Sequence, residues 1–521
     1  MPNQKGALHL LLLLAGVGVL TLFLIFSFAP FGNKLFTSLF PKESSQAASA
    51  LDWPQVQKDP QHTGYSNEQL NKNFAIKWKW NIDQTNPVRF AQHTQPVTSD
   101  GKLFIGAFDG KMYALDITTP TAGAIAPKVW EFDSGAPIMH SAAADSGKVV
   151  FASDNGKVLA VNETDGLKVW EYQAGAGFDN APLVVNGTIY IGSKDSNLYA
   201  IDLTNGALKW KYQTSGPIYQ TAAYSQSANA IIVGSEDMFV YALNLNGTLK
   251  WKSPKLNGQS FKHFWPVVSE TKGVVIIRSV PSYGHTRQLN DGDSIIQQTQ
   301  GASCPFTTVG TQLDKDNEQV ALTNYLTSRP TAKTFFVLDL NTGQEKFVAP
   351  ILHTGGSGST PSAPAIDIDG NAVVFWRSCY STYDDGSMVR KYADLGKLDL
   401  TTGKITAYEK NYSNRPFRLI ADEETVLSIG GTNIYGTMAE STGFHNMSNA
   451  NGTFIIKEYK NLGIFAPGSL YIFDDALVTS LYSTDKSGGH VAPPWSPAVI
   501  SNGQIIFKSD GSALVGVSGT P

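Results

Sequence analysis

"NLYAIDLTNGALKW", Asn197 to Trp210, is the stretch whose reading decides the fold. It joins an apolar run, an Asp, a Thr-Asn-Gly turn and a Trp, and it recurs. "KVLAVNETDGLKVW" ends at Trp170, "FVYALNLNGTLKW" ends at Trp251, and "MYALDITTP", Met112 to Pro120, is a further copy ahead of Trp130. Trp130, Trp170, Trp210 and Trp251 are spaced by 40, 40 and 41 residues. Trp78 stands 52 residues before Trp130, and the insertion "TTPTAGAIAP" accounts for the excess. Self-similarity at a fixed period of this size marks a repeat architecture.

Within one unit the order is "APLVV", the turn "NG", "TIYIGS", the turn "KDS", "NLYAID", the turn "LTNG" and "ALKWKY". Four short β runs bounded by Gly, Asn and Asp predict four antiparallel strands, which is one propeller blade. Asn-Gly and Asp-Gly allow the positive φ that tight hairpins need. The sequons at Asn162, Asn186, Asn246, Asn411, Asn446 and Asn451 mostly overlap such turns and read as turn chemistry.

Later units are degraded. "FFVLDLNTGQEKF" ends at Phe347 where a Trp would stand, "AIDIDGNAVVFWRS" with "GKLDLTTGKITAY" makes another unit, and "RLIADEETVLSIGG" begins one more. Residues 496–519 supply three strands and no fourth, while residues 74–82, "FAIKWKWNI", are a fourth strand with no preceding three. One blade built from both ends removes the open edge of the ring. The expected fold is therefore an all-β propeller of eight four-stranded blades, or seven if the last assignment fails. Excess length falls near residues 282–329 and 432–494.

Composition agrees. Charged residues are 16% of 521, Gly numbers 48, and the net charge of -4 comes with no Lys/Arg block, so nucleic acid is not an expected partner. Residues 7–31 carry no charge, long enough as a helix to cross a ~30 Å hydrocarbon core. An uncleaved membrane anchor over residues 1–32 is the first expectation, because Pro30 follows Ser27-Phe28-Ala29 where cleavage would be disfavoured. A cleaved signal segment, giving a secreted protein, is the rival. Residues 33–51 read as a flexible linker and residues 52–521 as the propeller, placed outside the cytoplasm. The two cysteines, Cys304 and Cys379, form no CxxC pair; one disulfide between them and two buried thiols are both open.

"AVNETDGLKVW" and "AIDLTNGALKW" resemble the tryptophan-docking repeat of the PQQ-like β-propellers, and "DWPQVQKDPQHTGYS", Asp52 to Ser66, resembles the segment that leads such domains in bacterial envelope proteins. The resemblance implies blade docking by Trp78, Trp130, Trp170, Trp210 and Trp251. The family includes quinone-dependent alcohol and glucose dehydrogenases and the propeller lipoprotein of the outer-membrane β-barrel assembly machine. The vicinal Cys-Cys pair of the dehydrogenases and a CxxCH haem site are missing here, as is the lipoprotein's attachment Cys.

Loops just before each innermost strand converge at one end of a propeller channel. That reasoning nominates His93, His140, Asp179, Asn180, Gln220, His263, Trp265, Arg415 and Trp495 as lining a ligand funnel, or else a wet channel wall. "LDKDNEQ", with Asp314, Asp316 and Glu318, and "NDGDS", with Asp291 and Asp293, are weak Ca²⁺ candidates that read as solvated loops. The expected function is a non-catalytic binding or assembly platform for envelope proteins or a small or polymeric ligand, with no catalytic residues and no cofactor. A quinoprotein dehydrogenase holding PQQ and Ca²⁺ in the funnel is the alternative.

Overall fold

The predicted turns form. Asn186 and Gly187 take φ of 50° and 68° between paired Val185 and Thr188, a two-residue hairpin of the kind that suits twisted strands. Asp100-Gly101, Ser146-Gly147 and Asn502-Gly503 repeat it between the first two strands of their blades. The computed structural model describes residues 50–70, 73–81, 88–91, 93–262, 264–280, 282, 312–352, 363–382, 389–407, 426–431, 433–441, 450–458, 470–472, 498–508 and 514–520. They belong to the unit Ala47–Pro521. The expected anchor and nearly all of the linker lie outside the described residues.

Eight sheets each contain four consecutive antiparallel strands, so the count is eight. Blades 1 to 4 begin at Val97, Ala143, Leu183 and Ala223, and blades 5 to 7 at Val267, Ala365 and Leu427. Blade 8 takes Val499–Ser501, Gln504–Lys508 and Leu514–Thr520 from the end of the chain and Asn73–Trp80 from the start. Asn73 pairs with Thr520 and Trp80 with Leu514, the closure expected from the two incomplete ends. Asn433–Ser441, Ala450–Glu458 and Leu470–Ile472, within the stretch where excess length is expected and in part within the last expected blade, supply three strands of blade 7.

Each Trp crosses the seam to the following blade. Trp130, Trp170, Trp210 and Trp251 donate their indole N–H to the carbonyls of Glu163, Leu203, Leu245 and Leu340, at 2.8–3.0 Å. The turn glycine of the following blade lies flat on the ring. A Cβ on Gly166, Gly206, Gly247 or Gly343 would come within 2.4–2.8 Å of the indole, and φ there is 68–86°. Phe347 takes the Trp place in blade 5 and meets Gly403 in the same way. Trp78 reaches blade 1 by a relay: its N–H donates to Gln504 Oε1, and Gln504 Nε2 donates to the Ile117 carbonyl. Thus "AIDLTNGALKW" spans two seams, its Gly serving one and its Trp the next.

Two insertions cover outer strand edges, which are otherwise open to pairing. Ala124–Ile125, inside "TTPTAGAIAP", adds a parallel fifth strand to blade 8, pairing with Trp78 and Lys79. The helix Gln312–Ser328, from the excess between the second and third strands of blade 5, packs Leu322 and Leu326 on Ala332 and Leu352. Its Gln319 amide bonds both the N–H and the carbonyl of Ile405, on the outer strand of blade 6.

Candidate functional site

An inner strand presents backbone N–H groups to the channel axis, and buried donors need acceptors. The leading segment supplies them to all eight blades. Asn502 N–H of blade 8 donates to the Leu51 carbonyl, Thr98 of blade 1 to Trp53, and Ala144 of blade 2 to Pro54. Val184 of blade 3 donates to the Gln55 side-chain oxygen. Tyr224, Val268, Ile366 and Ile429, in blades 4 to 7, donate to the carbonyls of Pro60, Gln61, Thr63 and Gly64. Chain order and blade order advance together, so residues 51–64 make one lap inside the ring. Tyr65–Ser66 then pairs in parallel with Leu427–Gly430.

The lap is built from tight local turns. Lys58 N–H donates to the Gln55 carbonyl, His62 N–H to Asp59, and Gly64 N–H to Gln57. Gln57, Lys58 and His62 take φ of 52°, 77° and 58°, a region that costs side-chain-bearing residues energy and persists only where the surroundings fix it. Asp59 caps the Thr63 N–H and hydroxyl, and burial pushes its carboxyl up to about 6. Gly64, at φ 64°, leaves no room for a Cβ: it would sit 2.9 Å from Gln57 Oε1 and 3.1 Å from the Leu427 carbonyl.

The nominated funnel residues stand just upstream of this lap. His140, Asn180 and Gln220 each lie three residues before an inner strand, Asp179 four before and Trp265 two before, and all five are buried. In blade 1 the position three before the strand is Thr94, not His93, which falls one residue earlier and stays partly exposed. His263, Arg415 and Trp495 lie outside the described residues.

Each of these side chains is pinned at one end. His140 Nδ1 accepts the Ser141 N–H, which puts the proton of its neutral ring on Nε2. Asp179 pairs with Lys262 at 2.9 Å. Asn180 Nδ2 donates to the carbonyls of Gly192 and Ile218, and Gln220 Oε1 accepts the Gly234 N–H. From the floor, Gln57 N–H donates to Gln95 Oε1, and His62 Nδ1 donates to the Pro266 carbonyl with its ring edge-on to Trp265. Gln95, Gln57 and His62 are the residues that sequence reasoning missed. Burial holds His62 and His140 down to about 4, with the other imidazole lowering His62 further and Asp179 opposing the fall at His140, so both are neutral at pH 7.

The far atoms, His140 Nε2, Asp179 Oδ1, Asn180 Oδ1, Gln220 Nε2 and Trp265 Nε1, are buried without a protein partner. Among the described residues the wall therefore offers neutral donors and acceptors with a single, already ion-paired carboxylate. A Ca²⁺ takes six to eight oxygens. Among the described residues, no group of three or more His, Cys, Asp or Glu could hold a metal ion. These residues do not fit a Ca²⁺-quinone site. The "LDKDNEQ" candidates are not a loop but part of the helix Gln312–Ser328: Asp316 pairs with Lys404 at 2.9 Å and Glu318 is buried. The side chain of Asp314, and Asp291, Asp293 and Cys304, lie outside the description; Cys379 is on the strand Ala372–Thr382. No described helix is long and apolar enough to cross a membrane.

A family profile described as outer membrane protein assembly factor BamB matches residues 123–347, from the edge of blade 1 to the end of blade 5. No curated protein sequence matches the chain. Among solved structures, it is similar to quinohaemoprotein alcohol dehydrogenase from Comamonas testosteroni, at 13% identity and TM-score 0.53 over 92% of this chain and 82% of that one. A quinohaemoprotein alcohol dehydrogenase from Pseudomonas putida HK5 gives 13%, 0.52, 91% and 81%, and a europium-containing methanol dehydrogenase 13%, 0.51, 92% and 100%. At that identity the likeness speaks to fold alone. With its tryptophan-docked blades and its shared closing blade, the chain is an eight-bladed β-propeller whose residues 123–347 are similar to that profile, consistent with the PQQ-like repeat propellers.

Proposed function

We propose that this propeller is a non-catalytic extracytoplasmic platform that binds or assembles other envelope components, held to the membrane through residues 1–32. The observation that carries the reading is the lap of residues 51–64. Eight hydrogen bonds, one from each blade, hold the chain's own leading segment where a ligand in the channel would lie. The described part of the polar wall supports the same reading, since it pairs its one carboxylate, Asp179, with Lys262. A PQQ-dependent dehydrogenase would need room for a quinone and a Ca²⁺ cradle in the same place.

Incubation with PQQ and Ca²⁺ followed by gel filtration tests this. The protein is expected to emerge without quinone absorbance and to reduce no dye with alcohols or aldoses. Stoichiometric quinone uptake with dye reduction would overturn the platform reading. Crosslinking in intact envelopes is expected to give discrete adducts.

A further inference from the structure

The outer strands of successive blades carry their charges differently. In blades 1 and 2, the residue after the Trp is a Glu held between two lysines: Glu131 by Lys111 and Lys128, Glu171 by Lys157 and Lys168. In blades 3 and 4 that place is Lys211 and Lys252, and Lys209, Lys250 and Lys255 lie beside them. Among the described residues one ion pair answers these five lysines, Lys209 with Asp202, while Lys250 Nζ donates to the Ala228 carbonyl and Lys252 lies over the Phe239 and Tyr241 rings without a carboxylate partner. The two strands also expose Leu208 and Leu249, at 42% and 45%. Trp210 ties the pair together through the Leu245 carbonyl, so the basic and apolar positions of the two blades share one stretch of the rim.

The fold itself shows what such an edge accepts. Blade 8 takes Ala124–Ile125 as an added strand, and blade 6 has its edge groups met by Gln319. Blade 3 ends on Leu208–Gln213, six residues long, with no fifth strand among the described residues. A row of unpaired backbone groups is a template for an extended segment, and opposite charges across neighbouring strands favour the added pair.

We propose that the outer edge of blade 3, flanked by the lysines of blade 4, is a docking site for an acidic polypeptide segment that binds extended, as a fifth strand. Its acidic residues face Lys209 and Lys211, its apolar ones cover Leu208, and Lys250, Lys252 and Lys255 attract it from the side. The inference rests on the platform reading and names the class of partner.

The test uses the full chain and a fluorescent eight-residue peptide of alternating Val and Glu, with an alternating Val and Lys peptide as control. The acidic peptide is expected to bind in a salt-sensitive way and to slow amide exchange at residues 208–213. Lys211→Glu with Lys252→Glu is expected to weaken it at least tenfold, while Lys128→Glu on blade 1 changes it less than twofold. The proposal fails if the peptide does not bind, if protection maps elsewhere, or if the charge reversal leaves affinity unchanged. It also fails if the same lysines bind phosphatidylserine vesicles and not the peptide. Failure here with no quinone uptake leaves the platform reading standing; quinone uptake sinks that reading whatever the peptide does.

Discussion

Acid should loosen the propeller through two buried imidazoles, His62 in the floor and His140 in the wall, and His140→Gln isolates one of them. Burial holds both His62 and His140 to about 4, against an ordinary 6.5. Between those values the unfolded chain binds a proton that the folded chain refuses, so stability is full above pH 6.5 and falls as the pH drops towards 4. Lowering the pH from 7 to 5 then costs about 2 kcal/mol per imidazole. Asp59 works in the opposite sense. Its carboxyl is raised from 3.8 to about 6, so its charged form disfavours the folded state at neutral pH, and the same acidification returns about 1 kcal/mol. Asp179 opposes the shift at His140 and is already counted in it. These groups together predict a loss of about 2 to 3 kcal/mol, and His140→Gln should leave less than about 1 kcal/mol of it. Guanidinium unfolding of both proteins at pH 7 and pH 5, followed by tryptophan emission, measures the difference. If the variant loses as much stability on acidification as its parent, the buried-neutral assignment of His140 is wrong.

Three further outcomes follow from the seams and the lap. Gly206→Ala should cost about 1 to 3 kcal/mol more than Gly187→Ala, because both glycines have φ near 70° but only Gly206 would press a Cβ onto Trp170, at 2.7 Å; thermal melts of the pair separate clash from backbone cost. Trp170→Ala should lose about 3 to 5 kcal/mol, and adding Gly206→Ala to it should cost less than Gly206→Ala alone does, since the ring that the Cβ meets is gone; additive losses would refute the docking geometry. Gln55→Leu should cost about 1 to 3 kcal/mol by leaving the Val184 N–H without its acceptor, and amide exchange at Val184 should quicken while Thr98 and Tyr224 keep their protection.

What could be read in the sequence was what repeats. Trp at steps of 40 and Asn-Gly between β runs are local chemistry, and the seams and hairpins they imply are where the structure puts them. The role of "TTPTAGAIAP" was not readable, because Ala124–Ile125 pairs with residues some 46 positions earlier and a parallel two-residue pairing leaves no periodic mark. Blade 1 starts its inner strand on Val97 and not on the Ala of blades 2 and 4, so spacing counted from Pro96 points to His93 instead of Thr94. The leading segment was hidden for a different reason. Of the eight blade N–H groups named above, seven go to its backbone carbonyls, which every residue has, and one to its Gln55 side chain. Its positive φ values also fall on Gln57, Lys58 and His62, where no glycine announces a turn. Gln57 and His62 are held in those costly conformations by bonds to the ring, to Gln95 and the Pro266 carbonyl, and Lys58 by bonds to Ala50, Asp52 and Gln55 within the segment. The lap and the closing blade are covalently close as well, since the chain pairs with blade 7 at Tyr65–Ser66 and enters blade 8 at Asn73.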